Sequence, residues 1–330
     1  MSSADTSRPF TVDFELVCKE FNAALDFYTT KLGFRLDVIF PADNPRTAVL
    51  SGFGIGIQLK RAGDSAPTAG QHVPAVTVQY ADTDSWGAGR AGMEYRDLIP
   101  GRLGGRYIAS HIRIQDGGPV PDYVHHHHVR FQMIFCYKGW VRAVYEDQGQ
   151  PLVMQAGDCV LQPPHIRHRV LECSDGMEVI EISGPAEHET FVEHSIALPT
   201  KSLHSDRIFD GQQFVFHQVA DANWLAASID GFEARDTGIG AATKGVASAM
   251  VLRLSDAGRT AATSHNAEFF FHFVLQGSTT LRCSDDMQWQ LLTGDSFVIP
   301  PDTRFEFAEN SSDLELLQVV LPGDVTMSDR

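Results

Sequence analysis

The latter part of the chain repeats itself, and this repeat constrains the fold more than any other feature. The segment RDLIPGRLGGRYIASHIRI is echoed by RDTGIGAATKGVASAMVLRL. FQMIFCYKGWVRAVYED is echoed by FFFHFVLQGSTTLRCSD, and AGDCVLQPPHIRHRV by TGDSFVIPPDTRFEF. The three pairs keep the same order at an offset of about 140 residues, which indicates a tandem duplication of one folding unit.

Both copies have the pattern of β structure. From about residue 93 the chain consists of short strand-like runs separated by turn signals at intervals of roughly 8–12 residues, which is typical of an all-β sandwich or barrel. We therefore predict two β-barrel domains, at residues 93–200 and 201–330, joined by the region 188–221. A chain of 330 residues leaves room for a further domain in front of them.

A different pattern occupies residues 11–86. The alternating run TVDFELV is followed by NAALDFYTTKLGF, where apolar residues recur at helical spacing up to Gly33, and then by RLDVIF, RTAVL and GIGIQLK. The pattern predicts a small α+β module of order β-α-β-β-β. Residues 1–10 are predicted to be a tail, and residues 61–72, rich in Ala, Gly and Pro, a linker.

This order, with FY and then LGF at the helix end, resembles a half-module of the glyoxalase/vicinal-oxygen-chelate superfamily. The resemblance implies a metal site built from two modules, with His or Gln on the first strand and Glu on the last. Here the first strand has no His and the last offers Gln58, so we expect a structural half-module without metal. The run PAVTVQYADTDSW (Pro74–Trp86) is interpreted as the stub of a second module. Either the strand Pro74–Asp82 or a partner subunit is expected to cover the open sheet edge.

Four consecutive histidines, His125 to His128, lie in the first repeat between apolar residues, far from the termini where purification tags are placed. His125-x-His127 is followed by Gln132 and a glycine, and later comes a glycine, a proline and His168. This spacing resembles the two cupin motifs, HxH-x(3,4)-E-x(6)-G and G-x(5)-PxG-xx-H. The resemblance implies two His, a Glu and a last His that hold one divalent metal inside a jelly-roll barrel. Over both repeats the chain resembles bicupins, so the expected fold class is mainly β, with two tandem cupin barrels behind the α+β module.

Strand geometry agrees with this resemblance. Residues two apart on a strand share a face, so His125 and His127 can point at one metal while their neighbours face away. Pairing His126 with His128 instead would give a spacing of three to Gln132, and this alternative stays open. Imidazoles suit Fe, Ni, Cu and Zn, and Gln supplies a neutral oxygen. A solvated histidine-rich loop would not explain His168 at the second-motif position.

One departure from the motif concerns charge, because Gln132 stands where cupins carry Glu. A carboxylate ligand would leave a divalent site at +1, whereas Gln leaves it at +2, which favours an anionic chelating substrate. The set resembles cupins with a three-histidine iron centre, among them dioxygenases that cleave C–C bonds. Gln132 could equally lie outside the ligand set and donate a hydrogen bond to water or oxygen.

The second repeat has lost these ligands. Aligned on the motif glycines, the four positions fall on Thr263, His265, Phe270 and Phe305, and a single histidine does not hold a transition metal. We therefore expect a degenerate, structural second barrel and about one metal per chain.

Other candidate site residues follow from strand parity. Ile134 and Cys136 share the strand face of Gln132, and Ile166 and Val170 share that of His168, which predicts an apolar substrate pocket lined by Ile134, Cys136, Ile166 and Val170. His111, on the preceding strand, is a further pocket and catalytic candidate. His165 replaces the glycine of the second motif; it is a candidate general base, although we favour a turn role for it.

Net charge and cysteine spacing limit the kinds of partner and the cellular compartment that we expect. A formal charge of −16 disfavours nucleic acids and anionic membranes, and no apolar run approaches the ~20 residues of a membrane span. The N-terminus lacks the basic and apolar regions of a signal peptide, and the five cysteines form no CxxC pair. We expect reduced thiols in a cytoplasmic homodimer.

These observations predict a mononuclear metalloenzyme, with Fe(II) the favoured metal, that acts as a dioxygenase on a small anionic or enolisable, possibly aromatic, substrate together with O2. Two alternatives stay open: a Zn, Ni or Mn isomerase, decarboxylase or hydrolase, and a non-catalytic bicupin that binds a small molecule.

Overall fold

A computed structural model describes residues 11–63, 74–83, 86–255, 260–283 and 287–328. The predicted tail 1–10 and residues 64–72 of the predicted linker lie outside the described residues. Strands make up most of the regular structure, which confirms the mainly β class. No helix in the described ranges is long and apolar enough to cross a membrane.

The N-terminal segment has the predicted βαβββ order. Strand β1 pairs in parallel with β4, and β3 lies antiparallel between β4 and β2. The helix buries Phe21 against Leu50 and Leu59 of the sheet. The likeness to a glyoxalase half-module stays a prediction. The elements are β1 (Phe14–Cys18), α1 (Phe21–Asp26) continued by a π-helical turn (Phe27–Lys31), β2 (Arg35–Phe40), β3 (Thr47–Gly52) and β4 (Ile55–Arg61).

Short strands follow in rapid succession through the first repeat. They are β5 (Thr77–Gln79), a 3-10 turn (Ala81–Thr83), β6 (Gly87–Ala88), a 3-10 turn (Arg90–Gly92), β7 (Glu94–Asp97), α2 (Arg102–Gly105), β8 (Ile108–Ile114), β9 (Gly118–Pro119), β10 (His125–His127), β11 (Phe131–Lys138), β12 (Trp140–Tyr145), β13 (Leu152–Gln155), β14 (Cys159–Leu161), β15 (His168–Cys173), β16 (Met177–Gly184) and β17 (Thr190–Val192).

The second repeat follows the same order after a connecting segment. Its elements are β18 (Ile208–Phe209), β19 (Gln212–Gln213), β20 (Val215–His217), a 3-10 turn (Val219–Asp221), β21 (Leu225–Ala226), β22 (Phe232–Asp236), α3 (Ile239–Ala242), β23 (Ser248–Leu254), β24 (Ser264–His265), β25 (Phe269–Gln276), β26 (Ser278–Cys283), β27 (Gln288–Leu292), β28 (Ser296–Val298), β29 (Phe305–Ala308), β30 (Glu315–Leu321) and β31 (Met327–Ser328).

Each barrel encloses its own core between two sheets. In the first barrel, β17-β10-β15-β12-β13 faces β20-β14-β11-β16-β8-β7-β6, and Val141 of one sheet packs in the same cluster as Val160 and Val179 of the other. In the second barrel, β27-β26-β29 and β21-β22-β23-β30-β25-β28-β5 enclose a cluster that includes Phe270 and Phe307. A third apolar cluster joins the barrels to each other.

The sheet of the N-terminal module continues into the first barrel. Strand β2 pairs with β17, with Ile39 opposite Thr190 and Val38 opposite Phe191. The expectation that the strand at Pro74–Asp82 or a partner subunit covers this edge is wrong for β2, because β17 of the first barrel covers it. A partner at the opposite edge, β1, stays a prediction, as does the homodimer.

Strand β5 of the Pro74–Trp86 run pairs with β28 of the second barrel, so it is not the stub of a second module. Conversely β20, from the start of the second repeat, pairs with β14 of the first barrel. The repeats thus exchange strands that lie at equivalent positions of the two copies. An aspartate at the same position of each repeat binds the segment that follows the exchanged strand: Asp295 accepts the Ala81 N–H at 2.8 Å, and Asp158 accepts the Val219 N–H at 2.8 Å. Each barrel is therefore completed by chain lying outside its own repeat.

Candidate metal centre

Three of the predicted ligands converge at the end of the first barrel. Strand β10 carries His125 and His127, and β15 begins at His168, which pairs across the sheet with His125. Ligand nitrogens of the three side chains all lie within 4.8 Å of one another. Their exposures are 0%, 5% and 4%, so the cluster is removed from bulk water. The alternation of strand β10 aims His125 and His127 inward.

Hydrogen bonds fix which nitrogen of each ring faces the cluster. His125 Nδ1 donates to the carbonyl of Tyr123 at 2.8 Å, and His168 Nδ1 donates to the carbonyl of Ile166 at 3.0 Å. These bonds select the tautomer in which Nε2 carries the free lone pair. Protein metal ligands are oriented in this way, with the second ring nitrogen held by a carbonyl or carboxylate.

His127 is oriented from the N-terminal side of the sheet. Its Nδ1 lies 3.1 Å from Thr190 Oγ1, which leaves Nε2 for the cluster. Thr190 is on β17, directly opposite His127 on one side and Ile39 of β2 on the other. The N-terminal module therefore supports the strand that positions one of the three imidazoles.

Burial keeps the imidazoles neutral. It lowers the pKa of His125 and of His127 well below the ordinary histidine value, and it lowers the pKa of His168 to about 4. Neutral imidazole is the form that binds metal. A metal with bonds of about 2.1 Å spans at most about 4.2 Å between two ligands, so a small inward adjustment brings all three nitrogens onto one ion. The donor set therefore fits a transition metal.

Gln132 lies on the wall of the same cavity, on β11. Its Nε2 donates to Glu181 Oε1 at 2.8 Å, which leaves the amide oxygen as the atom free to approach a metal or its ligands. Glu181 was not among the predicted residues. The sequence could have indicated Glu181 through the alternation of side chains along β16, because Glu181 shares a strand face with the cavity-lining Met177 and Val179.

Sequence reasoning also missed Arg90. Its Nη2 lies 2.9 Å from His125 Nε2, the nitrogen that faces the cluster, so a metal bound there would take this lone pair in place of Arg90 and leave Nη2 free for a substrate anion. Its Nη1 forms an ion pair with Asp122, whose side chain is fully buried. Burial alone would raise the pKa of Asp122, but the Arg90 guanidinium outweighs it and holds that pKa at about 2. Arg90 sits in a short turn ahead of the first repeat, where no motif marks it. Only the folded chain brings its charge to the cluster.

The cavity in front of the histidines has a volume of about 70 Å³. The predicted Ile134 and Val170 line it, whereas Cys136 and Ile166 lie in the hydrophobic core and do not reach its wall. Ala42 closes one side from the N-terminal module. Further lining residues are Met93, Tyr95, Ile112, Val141, Ala143, Tyr145, Met154, Gln162, Met177 and Val179.

The two remaining catalytic candidates lie elsewhere. His111 faces away from the cavity, because its neighbour Ile112 takes the inward position; its Nε2 contacts Glu178 Oε2 at 2.7 Å, and its ring packs on Phe273 of the second barrel. His165 is partly exposed at φ +65°, and its Nε2 lies 3.0 Å from Asp210 Oδ2. Its backbone N–H donates to the carbonyl of His127. His165 therefore occupies the turn that we favoured for it.

The equivalent interior of the second barrel is filled with aromatic rings. His265 stacks on Phe270 with ring centroids 4.0 Å apart, and Phe305 and Phe307 close the space beside them. Within the described part of the chain, no cluster of three His, Cys, Asp or Glu ligands lies in this barrel. The expectation of a degenerate second site stays a prediction.

No family model matches the sequence. No curated protein matches it either. Solved structures do. An oxalate decarboxylase from Lactobacillus farciminis, in complex with formate, superposes with a TM-score of 0.58 at 13% identity, covering 80% of this chain and 91% of that one. Protein Ylba from E. coli gives 0.54 at 8% identity, with 77% and 95% covered. A 7S globulin from Momordica charantia gives 0.53 at 9% identity, with 76% and 85% covered.

The chain has a bicupin fold. Identities this low relate the folds and leave activity to be argued from the site. The matched structures underline this, since one is named as a decarboxylase and another as a globulin. In this chain the candidate site consists of the three inward histidines, Arg90 and the Gln132–Glu181 pair.

Proposed function

We infer that this bicupin is a mononuclear metal-dependent enzyme acting on a small anionic substrate. The observation that carries the proposal is the buried cluster of His125, His127 and His168 with the Arg90 guanidinium 2.9 Å from His125 Nε2. A buried cation at the metal end of a small, mostly apolar cavity is suited to an anionic group that approaches the metal. A divalent ion there would supply a Lewis acid and, if it is iron, access to dioxygen chemistry.

The residues of this chain have distinct tasks in such a reaction. Arg90 makes a charge-assisted contact to a substrate carboxylate or enolate, and Asp122 holds the guanidinium in place from the other side. The apolar lining excludes water and strengthens these electrostatic contacts. Gln132, fixed through its amide nitrogen by Glu181, presents an uncharged oxygen to the site. Because the three imidazoles are neutral, a divalent metal bound by them would present its full charge of +2 to the substrate.

A ferrous dioxygenase is the form we favour, because an uncharged ligand set maximises attraction for a substrate enolate or carboxylate. A decarboxylase is the second candidate. It is favoured by Glu181, a carboxyl group on the cavity wall that in its protonated form would give its proton to the carbanion left by loss of carbon dioxide, and by the fold shared with an oxalate decarboxylase.

Oxygen consumption separates these candidates. Protein purified without a metal-affinity step is analysed for bound elements, then loaded anaerobically with Fe(II) or Mn(II) and screened with small carboxylates and enols. A dioxygenase consumes about one O2 per substrate, whereas a decarboxylase releases carbon dioxide without net oxygen uptake. Metal-loaded protein that turns over none of these substrates would favour the non-catalytic binding protein instead.

Changing Gln132 to Glu tests the charge of the site. The substitution adds a carboxylate beside Glu181 and next to the metal, so it should weaken an anionic substrate analogue by about tenfold, or about 1.4 kcal/mol. Two like charges at about 4 Å repel by about 4 kcal/mol at an effective dielectric near 20, and screening reduces this. Titration of metal-loaded protein with a small dicarboxylate such as malonate measures the effect.

Gln132→Asn is the matched control, since it shortens the side chain without adding charge. An equal loss of malonate affinity in both variants would mean that geometry, and not charge, governs the site. Unchanged affinity in Gln132→Glu would remove Gln132 from the electrostatic argument altogether.

A further inference from the structure

The histidines that face away from the barrel interior form a second cluster. We propose that His126, His128 and His165 constitute an outer metal site, distinct from the inward-facing cluster, that takes a transition-metal ion such as Zn²⁺, Co²⁺, Ni²⁺ or Cu²⁺. Their ligand nitrogens all lie within 4.8 Å of one another, as tight a limit as that of the inner cluster. Imidazole is a preferred ligand of each of these metals.

Strand geometry explains why two clusters share one segment. In the run from His125 to His128, alternate side chains point to opposite faces, so the inner pair and the outer pair are one residue out of phase. Each pair is completed by one histidine from the segment around β15: His168 on the inside and His165 on the outside. Both trios therefore follow from the same two neighbouring pieces of chain.

Packing holds the outer pair in place. The ring of Phe191, on the adjacent strand β17, stacks on His126 with an interplanar angle of 13° and a centroid distance of 5.3 Å. The same ring lies 4.2 Å from the His128 ring. His126 Nδ1 is buried and has no hydrogen-bond partner among the residues that the structure describes. A buried polar atom without a partner is costly, and a ligand at this site can supply one.

The third residue occupies its position at an energetic cost. His165 adopts φ +65°, a left-handed conformation that glycine takes freely and that other residues adopt less often, although histidine is among the more frequent of them. The cupin motif has glycine here. With glycine at this turn, the backbone would be unstrained but the outer trio would have only two members. The His165 side chain contacts the His128 ring, with the ring centroids 4.5 Å apart.

Nearby charges are compatible with a cation. Asp210 Oδ2 lies 3.0 Å from His165 Nε2, so this carboxylate can orient the imidazole as carboxylates do behind metal-bound histidines. The nearby guanidinium of Arg167 is ion-paired with Glu146 and Glu193, which offsets its charge. His128 is exposed and the side chain of His165 is 42% exposed, so the site is open to metal from solvent and retains free coordination positions.

The test is a cobalt titration of the full chain after metal removal by chelation, followed by visible absorption and by elemental analysis after gel filtration. The wild-type chain is expected to bind about two Co²⁺. His165→Gly restores the glycine that the turn prefers, so the variant should fold at least as well and should bind about one. His128→Asn should also bind about one. His204→Ala, an exposed histidine outside both clusters, is the control and should bind as many ions as the wild type.

This experiment tests the outer site and the inner site independently of each other. If His165→Gly and His128→Asn bind as much Co²⁺ as the wild-type chain, the outer site does not exist, whatever the inner cluster does. If those variants lose one ion while His168→Ala loses none, the outer site stands and the inner centre is refuted.

Discussion

Replacing His168 by Ala is expected to abolish metal binding in the first barrel. His168 pairs directly with His125, and its Nε2 is one of three that converge on the cavity. Structural metal sites bind with about 10–16 kcal/mol over about four ligands, so one imidazole is worth about 3 kcal/mol, a loss of more than 100-fold in affinity. The measurement is a metal titration in the His165→Gly background, so that the outer cluster contributes nothing.

The matched control for this substitution is His265→Ala. His265 occupies a motif position in the second barrel but stacks on Phe270 and belongs to no described ligand cluster. This variant should bind as much metal as its parent. Circular dichroism checks the fold of both proteins, since His168 also stacks on Tyr145. A His168→Ala protein that is folded and still binds metal with parental affinity would overturn the assignment of the centre.

Replacing Arg90 by Met should have the second large effect, on stability and on substrate binding together. The substitution leaves Asp122 buried and without its cationic partner. Breaking a buried ion pair from one side costs about 3–5 kcal/mol because the remaining charge is uncompensated. Urea unfolding measures this loss, and malonate titration of the metal-loaded protein measures the loss of anion affinity.

The double variant Arg90→Met with Asp122→Asn separates the two effects. Asparagine retains an oxygen that can accept the Val170 N–H, which Asp122 Oδ2 accepts in the wild-type protein. We expect the double variant to recover most of the unfolding free energy while malonate affinity stays low. Wild-type malonate affinity in the double variant would contradict the role given to Arg90. A single variant within 1 kcal/mol of wild type would contradict the structural argument about Asp122.

Much of the inner site could be predicted because it follows local rules. The two-residue period of a strand places His125 and His127 on one face, and motif spacing adds His168. The same rule left the alternative pair, His126 and His128, open. In the folded chain both pairs form clusters, one inward and one outward, and burial distinguishes them. The two-residue period of a strand shows which residues share a face, but it does not show which of the two faces points into the barrel.

Some of the residues predicted to line the pocket do not reach it, for a related reason. Cys136 shares the strand face of Gln132 but lies in the core, because a residue on the correct face can still be too far along the barrel to reach the cavity. His111 was assigned to the pocket, although its neighbour Ile112 takes the inward position and His111 packs towards the second barrel. Parity alone does not decide which of two alternating faces a given sheet turns inward.

The sequence by itself determined the duplication, the mainly β architecture, the βαβββ order of the N-terminal module and the histidines that share a strand face, because these depend on local periodicity and on spacing within one repeat. Only the tertiary structure decided the rest. It brought Arg90 to His125 across 35 positions and Glu181 to Gln132 across 49, exchanged β5 and β20 between the barrels, and set β2 against β17. Charge pairing and strand exchange between distant segments leave no periodic trace in a sequence, since each partner satisfies the local pattern of its own strand or turn equally well without the other.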